Sequence, residues 1–514
     1  MSIKLNKDLI AELQSAGIRV PDAITGRKGG AGPAEGRAFL LNDLAVHIPI
    51  AAAYVANSPF QLRSQSEGYV LLKNGAEIGS IGIVPEPQYY HGQTADGIGY
   101  RQIALLHGKD CLATTVNQRC IHWQTGQNCK FCGTEISLNT GQTIATKLPV
   151  QLVEVAKYAL KRDGVRHVVL TSGTGDPPGS EIPYLARCAE ALKTATGLPV
   201  HVQFIPPKDL ELLDVLCDSG VDTVGIHIES FDSDILARLA PAKSAIGMQQ
   251  YERAWKKAVT LFGPNQVSSF LIAGLGESAE SIVRGSEVLA DLGVYPFVVP
   301  FRPIPGSSMQ HILPPDFRTM SRIYTAVARI LKQKGLAASR CKAGCVRCGA
   351  CSALAAFESR PAILTCHSVR TEKEKAEAYA IRHEVFVKEQ RLFEGTDVDE
   401  KDAVGTHLIA KKKSAIIGTV RIYPAGDTEN GHWVGGRLAV RQGHRVSMAG
   451  ALLVKEAMKR VKKKGCSRFT AHIQENNVSF FKKLGWRPVG PMENYINRPH
   501  RLMEADLEQV PEDF

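Results

Sequence analysis

Three cysteines, Cys120, Cys129 and Cys132, stand within thirteen residues of the stretch RCIHWQTGQNCKFCGTE, with eight residues between the first two and two between the last two. A structural zinc site takes four protein ligands, whereas a [4Fe–4S] cluster held by three thiolates leaves one iron open to another molecule. Three thiols therefore read as the ligands of an open cluster, and Phe131 sets an aromatic ring beside it that would exclude water. A zinc or redox-inert reading needs a remote fourth ligand, such as Cys111 or His122. A second group, Cys341, Cys345, Cys348 and Cys351, has gaps of three, two and two. Four thiolates in eleven residues suit a closed auxiliary Fe–S cluster or a structural zinc equally well. Cys188, Cys217, Cys366 and Cys466 fall in helical or strand patterns and read as packing residues.

The elements that must position the triplet alternate between strand and helix. CLATTVN (111–117), HVVLTSG (167–173), PVHVQFI (199–205), TVGIHIES (223–230), VSSFLIAG (267–274) and PFVVPFRP (296–303) are short runs rich in Val, Ile and Phe, as buried parallel strands are. Between them lie helical patterns. In LPVQLVEVAKYALKRDG, Leu152, Val155, Ala156 and Ala159 share one face and Gly164 marks the stop. Successive βα units predict a parallel partial (β/α)6 TIM-like barrel over 111–338, with chemistry at the C-terminal ends of its strands. The triplet follows the first strand, at that end.

Residues 1–110 read as an appended α+β module that opens with a helix and the Gly-rich turn GRKGGAGPAEGR, and no chemistry is assigned to it. Residues 339–361 form the cysteine-rich knot and a linker that breaks around ESRPAIL, where zinc would staple the domain junction. Residues 362–514 have a different texture, a helix, strands and a strand–loop–helix unit, and predict a separate α/β domain.

The 514 residues are 44% hydrophobic and 22% charged, so neither disorder nor a membrane span is expected. The first residues, MSIKLNKDLIAELQSAG, lack a signal-peptide core, and the expected compartment is the cytoplasm. There, twelve cysteines point to metal, cluster or redox chemistry before disulfides. The formal charge of +11 would suit an anionic partner, but it is dispersed. Its densest run, KRVKKKG at 459–465, lies on a predicted helix and reads as a solvated face, which disfavours nucleic acid.

The triplet in its barrel resembles the radical S-adenosylmethionine (SAM) superfamily, whose usual spacing is three then two residues with an aromatic before the last cysteine. The gap of eight departs from that spacing and matches the variants with a long first gap. TSGTGDPPG (171–179) is similar to the family's turn that hydrogen-bonds the amino group of SAM, here through Ser172 and Gly173, with Asp176 as the available acidic residue. FLIAGLGESAE matches the pattern of Ile272, Gly274 and Glu277, with Phe270 where the first Gly belongs; small residues there let the backbone approach the adenine. Glu229 and Ser230 stand where the family contacts the ribose, and PFRPIPGS after the sixth strand is also typical. The resemblance implies that the open iron binds SAM. An electron from a donor such as flavodoxin or ferredoxin then cleaves SAM to a 5′-deoxyadenosyl radical, inside a barrel that keeps water out. The second knot begins with the usual radical SAM spacing, but the barrel strands precede it and Arg347 stands in the aromatic position.

RHEVFVKEQ (382–390), the strand ending at Val440 before RQGHRVSMAG, and ENNVSFFKKLGWRPVG (475–490) resemble the GNAT acyltransferase family. That resemblance implies acetyl-CoA bound at a turn and helix N-terminus, here through Val440, Arg445, Ala449 and Gly450, with Asn477 in the second half of the site. Met448 stands where the turn's first Gly belongs, and Phe480 and Phe481 fill the place of the usual Tyr acid. Tyr495, His472 and His500 are the remaining acid candidates, and Glu384 and Glu389 read as bases or as solvated helix charges. The chain as a whole resembles radical SAM proteins of nitrilase-associated gene clusters joined to a GNAT domain. This implies radical C–H functionalisation or rearrangement of a small metabolite and acyl transfer to an amine. The alternative resemblance, to the Elongator catalytic subunit, implies modification of a tRNA wobble uridine.

Overall fold

The computed structural model describes residues 6–26, 36–42, 44–65, 68–358, 364–412, 415–426, 431–445, 448–496 and 498–508. Most of the Gly-rich turn and of the break around ESRPAIL lies outside them. The chain divides into two units, Met1–Ser359 and Arg360–Phe514.

The first unit begins with the helix Lys7–Ala16, capped by the Asn6 side chain on the Leu9 amide. Five antiparallel strands follow, β1 (Gly36–Leu41), β2 (Leu44–Pro49), β3 (Phe60–Gln65), β4 (Gly68–Lys73) and β5 (Ala76–Ile83), in the order β2-β1-β5-β4-β3. β6 (Leu105–His107) then pairs antiparallel with β7 (Cys111–Thr115). From β7 the sheet continues in parallel and in chain order through β8 (His167–Thr171), β9 (Val200–Phe204), β10 (Thr223–Ile226), β11 (Val267–Ala273) and β12 (Tyr295–Pro300). All six expected barrel strands are present, because each is an uncharged run buried on both faces. The sheet stays open, a curled half-barrel with β12 and β6 at its edges.

Helices return the chain after each strand. The helix Pro149–Asp163 starts on Pro149, whose missing N–H costs nothing there, and stops at Gly164 with φ 66°. The N-terminal module is not a free appendage. Phe39, Ile48 and Phe60 belong to one continuous core with Leu112, Val200 and Val298 of the barrel. The amide of His47 on β2 also donates to the carbonyl of Ala350 in the cysteine-rich segment, at 2.8 Å.

The second unit is a seven-stranded sheet of β13 (Leu364–Ser368), β14 (Thr406–Lys412), β15 (Ala415–Pro424), β16 (His432–Val440), β17 (Arg468–Gln474), β18 (Trp486–Tyr495) and β19 (Arg498–Ala505). Its order is β13-β14-β15-β16-β17-β19-β18, as befits the expected separate α/β domain. Every pairing is antiparallel except β16 with β17, which run parallel only over His432–Val434 and Arg468–Thr470 and then part. The helix Ala449–Lys463 buries Ala449, Leu453, Val454, Ala457 and Val461 in the core of this unit.

Beside that core lies a buried network of three guanidinium and three carboxylate groups. Arg382, fully buried, donates to Asp397 at 2.7 Å and by both terminal nitrogens to Asp402 at 2.5 and 2.9 Å. Arg421 and Arg437 complete it through Asp399. Burial alone would raise the Asp402 carboxyl, but hydrogen bonds from Arg382 and the Asp399 amide hold it well below the usual range. Removing one member leaves buried charge uncompensated. Arg382→Met is expected to lower the stability of this unit by about 3–5 kcal/mol, seen as an earlier calorimetric transition of the full chain. Because the folded pKa of Asp402 is depressed, its contribution is present at neutral pH and is lost as pH falls below about 4. An unshifted transition in the variant would contradict this account.

Candidate active sites

The cluster loop leaves β7 by prolonging its pairing with β8. The Val116 amide donates to Thr171 O at 2.8 Å, Gly173 to Asn117 O at 2.7 Å, and Ile121 to Thr174 O at 2.9 Å. At Gly173 a Cβ would lie 2.0 Å from the Arg119 carbonyl oxygen and 3.1 Å from the Cys120 Cα, so no other residue lets the two segments meet. The Cys120 amide then donates to Glu135 Oε1 at 2.9 Å, the Lys130 amide to Leu239 O at 2.8 Å, and the Cys132 amide to Cys129 O at 3.0 Å. Each of these anchors is made by a backbone amide of the loop and not by a cysteine sulfur.

Burial pushes the Cys129 thiol up to about 12; the Lys243 ammonium opposes this, and Cys132 and Cys120 add to it. Burial likewise raises Cys132, partly offset by the Thr134 hydroxyl 3.1 Å away. Desolvated thiols of this kind are inert until a metal displaces their protons. Among the described residues, no three His, Cys, Asp or Glu side chains gather as ligands of one metal ion would. A cubane asks instead for one thiolate at each of three separate irons, and the donor set fits that.

Around the loop the strand ends present the other expected residues. Glu229 follows β10 with φ 77°, a left-handed backbone rare outside Gly, fixed by its amide on Phe270 O and its carbonyl under the Ile272 amide. Its Oε1 accepts from Lys243 Nζ at 2.7 Å in a buried ion pair, while Oε2 has no partner. Lys243, which the sequence did not flag, sits between this carboxylate, the His227 carbonyl and the cysteine triplet. Ser230 is fully buried and accepts from the Asp232 amide. Both carboxylate oxygens of Glu277 are buried without a hydrogen bond of normal geometry, and burial raises its pKa despite the nearby Ser230 and Ser281 hydroxyls. Two of the expected glycines have a steric role: Gly173 admits the cluster loop, and Gly274, with φ 105°, faces Pro315 and Phe301, where a Cβ would clash at 2.8 Å. Ser172 bonds the neighbouring Gly173 carbonyl.

A cavity of about 400 Å³ opens inside the half-barrel. Phe131 and Cys132 stand on its wall with Thr115, Thr171 and Ile272, and so do Gln203, Arg302, Cys345 and Cys351. The cysteine-rich segment, which the sequence places before the domain break, crosses the N-terminal ends of the barrel strands. The Gly344 amide reaches His167 Nδ1 of β8, and Cys348 packs with Cys111, Ala113 and Val169. Cys341 bonds Asn265 through both its sulfur and its proton.

In the second unit the parting of β16 from β17 opens a cavity of about 340 Å³. Its wall brings together all three acid candidates. The His472 ring stacks on Tyr495 at 4.5 Å, and Tyr495 meets His500 edge-on at 5.5 Å. Burial lowers the His472 pKa and leaves its Nδ1 unpartnered. Asn477 is on the same wall, as are Asp399 and Arg437 of the buried network. Phe481 is core, against Trp486, and Phe480 packs beside it. Arg445 spends both terminal nitrogens on Glu389, at 2.7 and 2.5 Å, and its Nε on the Val440 carbonyl. Those hydrogen bonds lower the Glu389 pKa, which suits an ion pair and not a base, and Glu384 lies 3.5 Å from Arg441. Met448 takes the left-handed conformation, φ 67°, that a Gly would adopt freely, and Ala449 begins the helix behind it. A Cβ on Gly450 would find ordinary contact with Phe480 at 3.6 Å.

The chain matches the radical SAM superfamily over residues 126–284, a span that begins between Cys120 and Cys129, and the acetyltransferase (GNAT) family over residues 371–486. It is 24% identical over 247 residues to the bacteriochlorophyllide c C-7(1)-hydroxylase of Chlorobaculum limnaeum, covering 44% of this chain and 60% of that one's length. It is 27% identical over 139 residues to the uncharacterized N-acetyltransferase YjcF of Bacillus subtilis, covering 27% of this chain and 96% of that protein. Among solved structures, an acyl-CoA N-acyltransferase from Pseudomonas aeruginosa covers 28% of this chain and 99% of its own at 23% identity and a TM-score of 0.26. The polypeptide thus carries a radical SAM domain over residues 126–284 and a C-terminal GNAT acetyltransferase domain over residues 371–486.

Proposed function

We propose that this bifunctional chain functionalises or rearranges a C–H position of a small metabolite in the barrel and transfers an acyl group from acetyl-CoA to an amine in the second unit, as in radical SAM–GNAT pairs of nitrilase-associated clusters. The observation that carries the first half is the barrel cavity with the triplet's Cys132 and Phe131 on its wall. When bound, a [4Fe–4S] cluster on Cys120, Cys129 and Cys132 with SAM supplies a 5′-deoxyadenosyl radical. The chain's residues hold and shield. The Gly173 crossing fixes the start of the loop, Phe131 and the apolar wall exclude water, and the unpartnered oxygens of Glu229 and Glu277 are acceptors for sugar hydroxyls. Arg302 stands on the wall with its terminal nitrogens held by His47 and the Cys351 carbonyl. Activity on a carbon framework is in keeping with the hydroxylase similarity. A flavodoxin or ferredoxin supplies the electron, and a cytoplasmic setting keeps the twelve thiols reduced. No helix among the described residues is long and apolar enough to cross a membrane.

Acyl-CoA phosphates meet the N-terminus of the helix Ala449–Lys463, and Tyr495, flanked by His472 and His500, donates a proton to the departing thiolate. Against the tRNA-modifying alternative stands the engagement of Arg460, in the densest basic run, with Glu456 and Ser368.

Cys129→Ala is expected to abolish 5′-deoxyadenosine formation from SAM under reducing conditions while leaving acyl-CoA hydrolysis or transfer intact; cleavage at the parent rate would refute the assignment of the triplet. Tyr495→Phe should lower kcat for acyl transfer on the order of 10²-fold with little change in the KM for acetyl-CoA, whereas a raised KM with kcat unchanged would make its role binding alone. Met448→Gly should relieve left-handed strain and stabilise the second unit by about 1 kcal/mol, with tighter acetyl-CoA binding by isothermal calorimetry. A weaker complex would show that the methionine itself contacts the cofactor.

A further inference from the structure

We infer that Cys111 joins Cys345, Cys348 and Cys351 in a second iron–sulfur site built into the floor of the half-barrel, and that Cys341 lies outside this ligand set. The inference extends the proposed radical chemistry to a further centre, but its evidence is separate from that of the triplet.

The geometry begins at Gly344. Its φ of 92° and its amide bond to His167 Nδ1 at 3.3 Å press the short helix Gly344–Cys348 onto the N-terminal ends of β8 and β9. A Cβ at Gly344 would strike the His201 ring at 2.7 Å, so only glycine brings the helix this close. From there Cys345 turns toward Gln203, whose Nε2 reaches its sulfur at 3.4 Å on the cavity wall. Cys348 turns down to the first residue of β7, Cys111, in a small buried cluster with Ala113 and Val169. Its sulfur also lies 2.8 Å from where a Cβ of Gly108 would stand, which is why the turn before β7 carries no side chain there. Cys351 comes back to the cavity wall, and its carbonyl accepts from Arg302 Nη2 at 3.4 Å.

Cys341 is directed elsewhere. Its sulfur donates to the Asn265 carbonyl at 2.9 Å and accepts from the Asn265 side chain at 3.1 Å, and the same side chain holds Ala337 from both its oxygen and its nitrogen. This thiol is satisfied as a structural hydrogen-bonding group. What remains is a Cys345-x2-Cys348-x2-Cys351 run with one remote cysteine, the ligand pattern by which bacterial ferredoxins hold each cubane: three thiolates from the tight run and the fourth from a distant part of the chain. The floor site would lie on the same cavity as Cys132, so a substrate there would have a metal centre at each end.

The test uses the full chain, reconstituted without oxygen with iron and sulfide, and reads iron, sulfide and zinc per chain together with the electron paramagnetic resonance spectrum after reduction. The parent is expected to hold about eight irons, two cubanes' worth. Cys111→Ser and Cys348→Ala should each lose about half of that iron and one of two spectral components, whereas Cys341→Ala should keep both. Cys129→Ala should lose the other half and the other component, so failure of the triplet and failure of the floor site give different results. Should Cys111→Ser not fold, Cys341→Ala still decides: loss of half the iron in that variant overturns the inference. It is overturned equally by full iron in folded Cys111→Ser, by one zinc per chain in place of the second cluster, or by a parent that holds only four irons.

Discussion

The close passage of two backbones at Gly173 governs the radical SAM half of the molecule. Pairing between β7 and β8 does not stop where the strands do; it runs on through Asn117 and Thr174, and the missing Cβ lets the Arg119–Cys120 peptide lie against the next strand's end. The first thiol therefore leaves a rigid ladder, while the other two follow a turn fixed by backbone bonds to Leu239 and Cys129. This explains how a gap of eight residues still delivers an ordered triplet: the extra length is held by Ile121–Gln124, a turn of helix, and does not have to be compact itself.

Electrostatics then works against burial at the same place. Taking thiols out of water opposes the thiolate form, and the Lys243–Glu229 pair sits alongside with its cation favouring the charge that ligation requires. That pair is costly to bury unless fully satisfied, and it is left with one carboxylate oxygen unpartnered. Nearby, burial raises the Glu277 carboxyl against the Ser230 and Ser281 hydroxyls, so a second acidic side chain is held out of water at the strand ends.

The six barrel strands were legible because buried parallel strands have no polar alternation to confuse them, and the helices because each ends on a glycine such as Gly164 or an equivalent stop. Local chemistry, the triplet and the turn residues, was equally legible. Partnerships across distance were not. Nothing in LAPAKSAIG marks Lys243 as the companion of Glu229, and nothing around CLATTVN marks Cys111 as the neighbour of Cys348, because those pairings are made by strand order, which spacing does not encode. The same limit hid the Arg382 network: RHEVFVKEQ offers Glu384 and Glu389 as bases or solvated helix charges, yet its first residue, Arg382, is fully buried between two aspartates.

In the second unit, the site is made by a sheet that comes apart. β16 and β17 share hydrogen bonds over three residues and then diverge, so their unpaired edges border a cavity in place of a ladder. A gap in a sheet exposes polar backbone and would collapse if its walls could move, and the buried ions prevent that movement: Arg421 on β15 and Arg437 on β16 are both tied to Asp399 at the rim. The left-handed backbone of Arg437, φ 55°, is part of the same device, turning its side chain into the network where a regular strand would point it away. Charge that would be wasteful in an ordinary core thus holds open the space in which His472, Tyr495 and His500 meet.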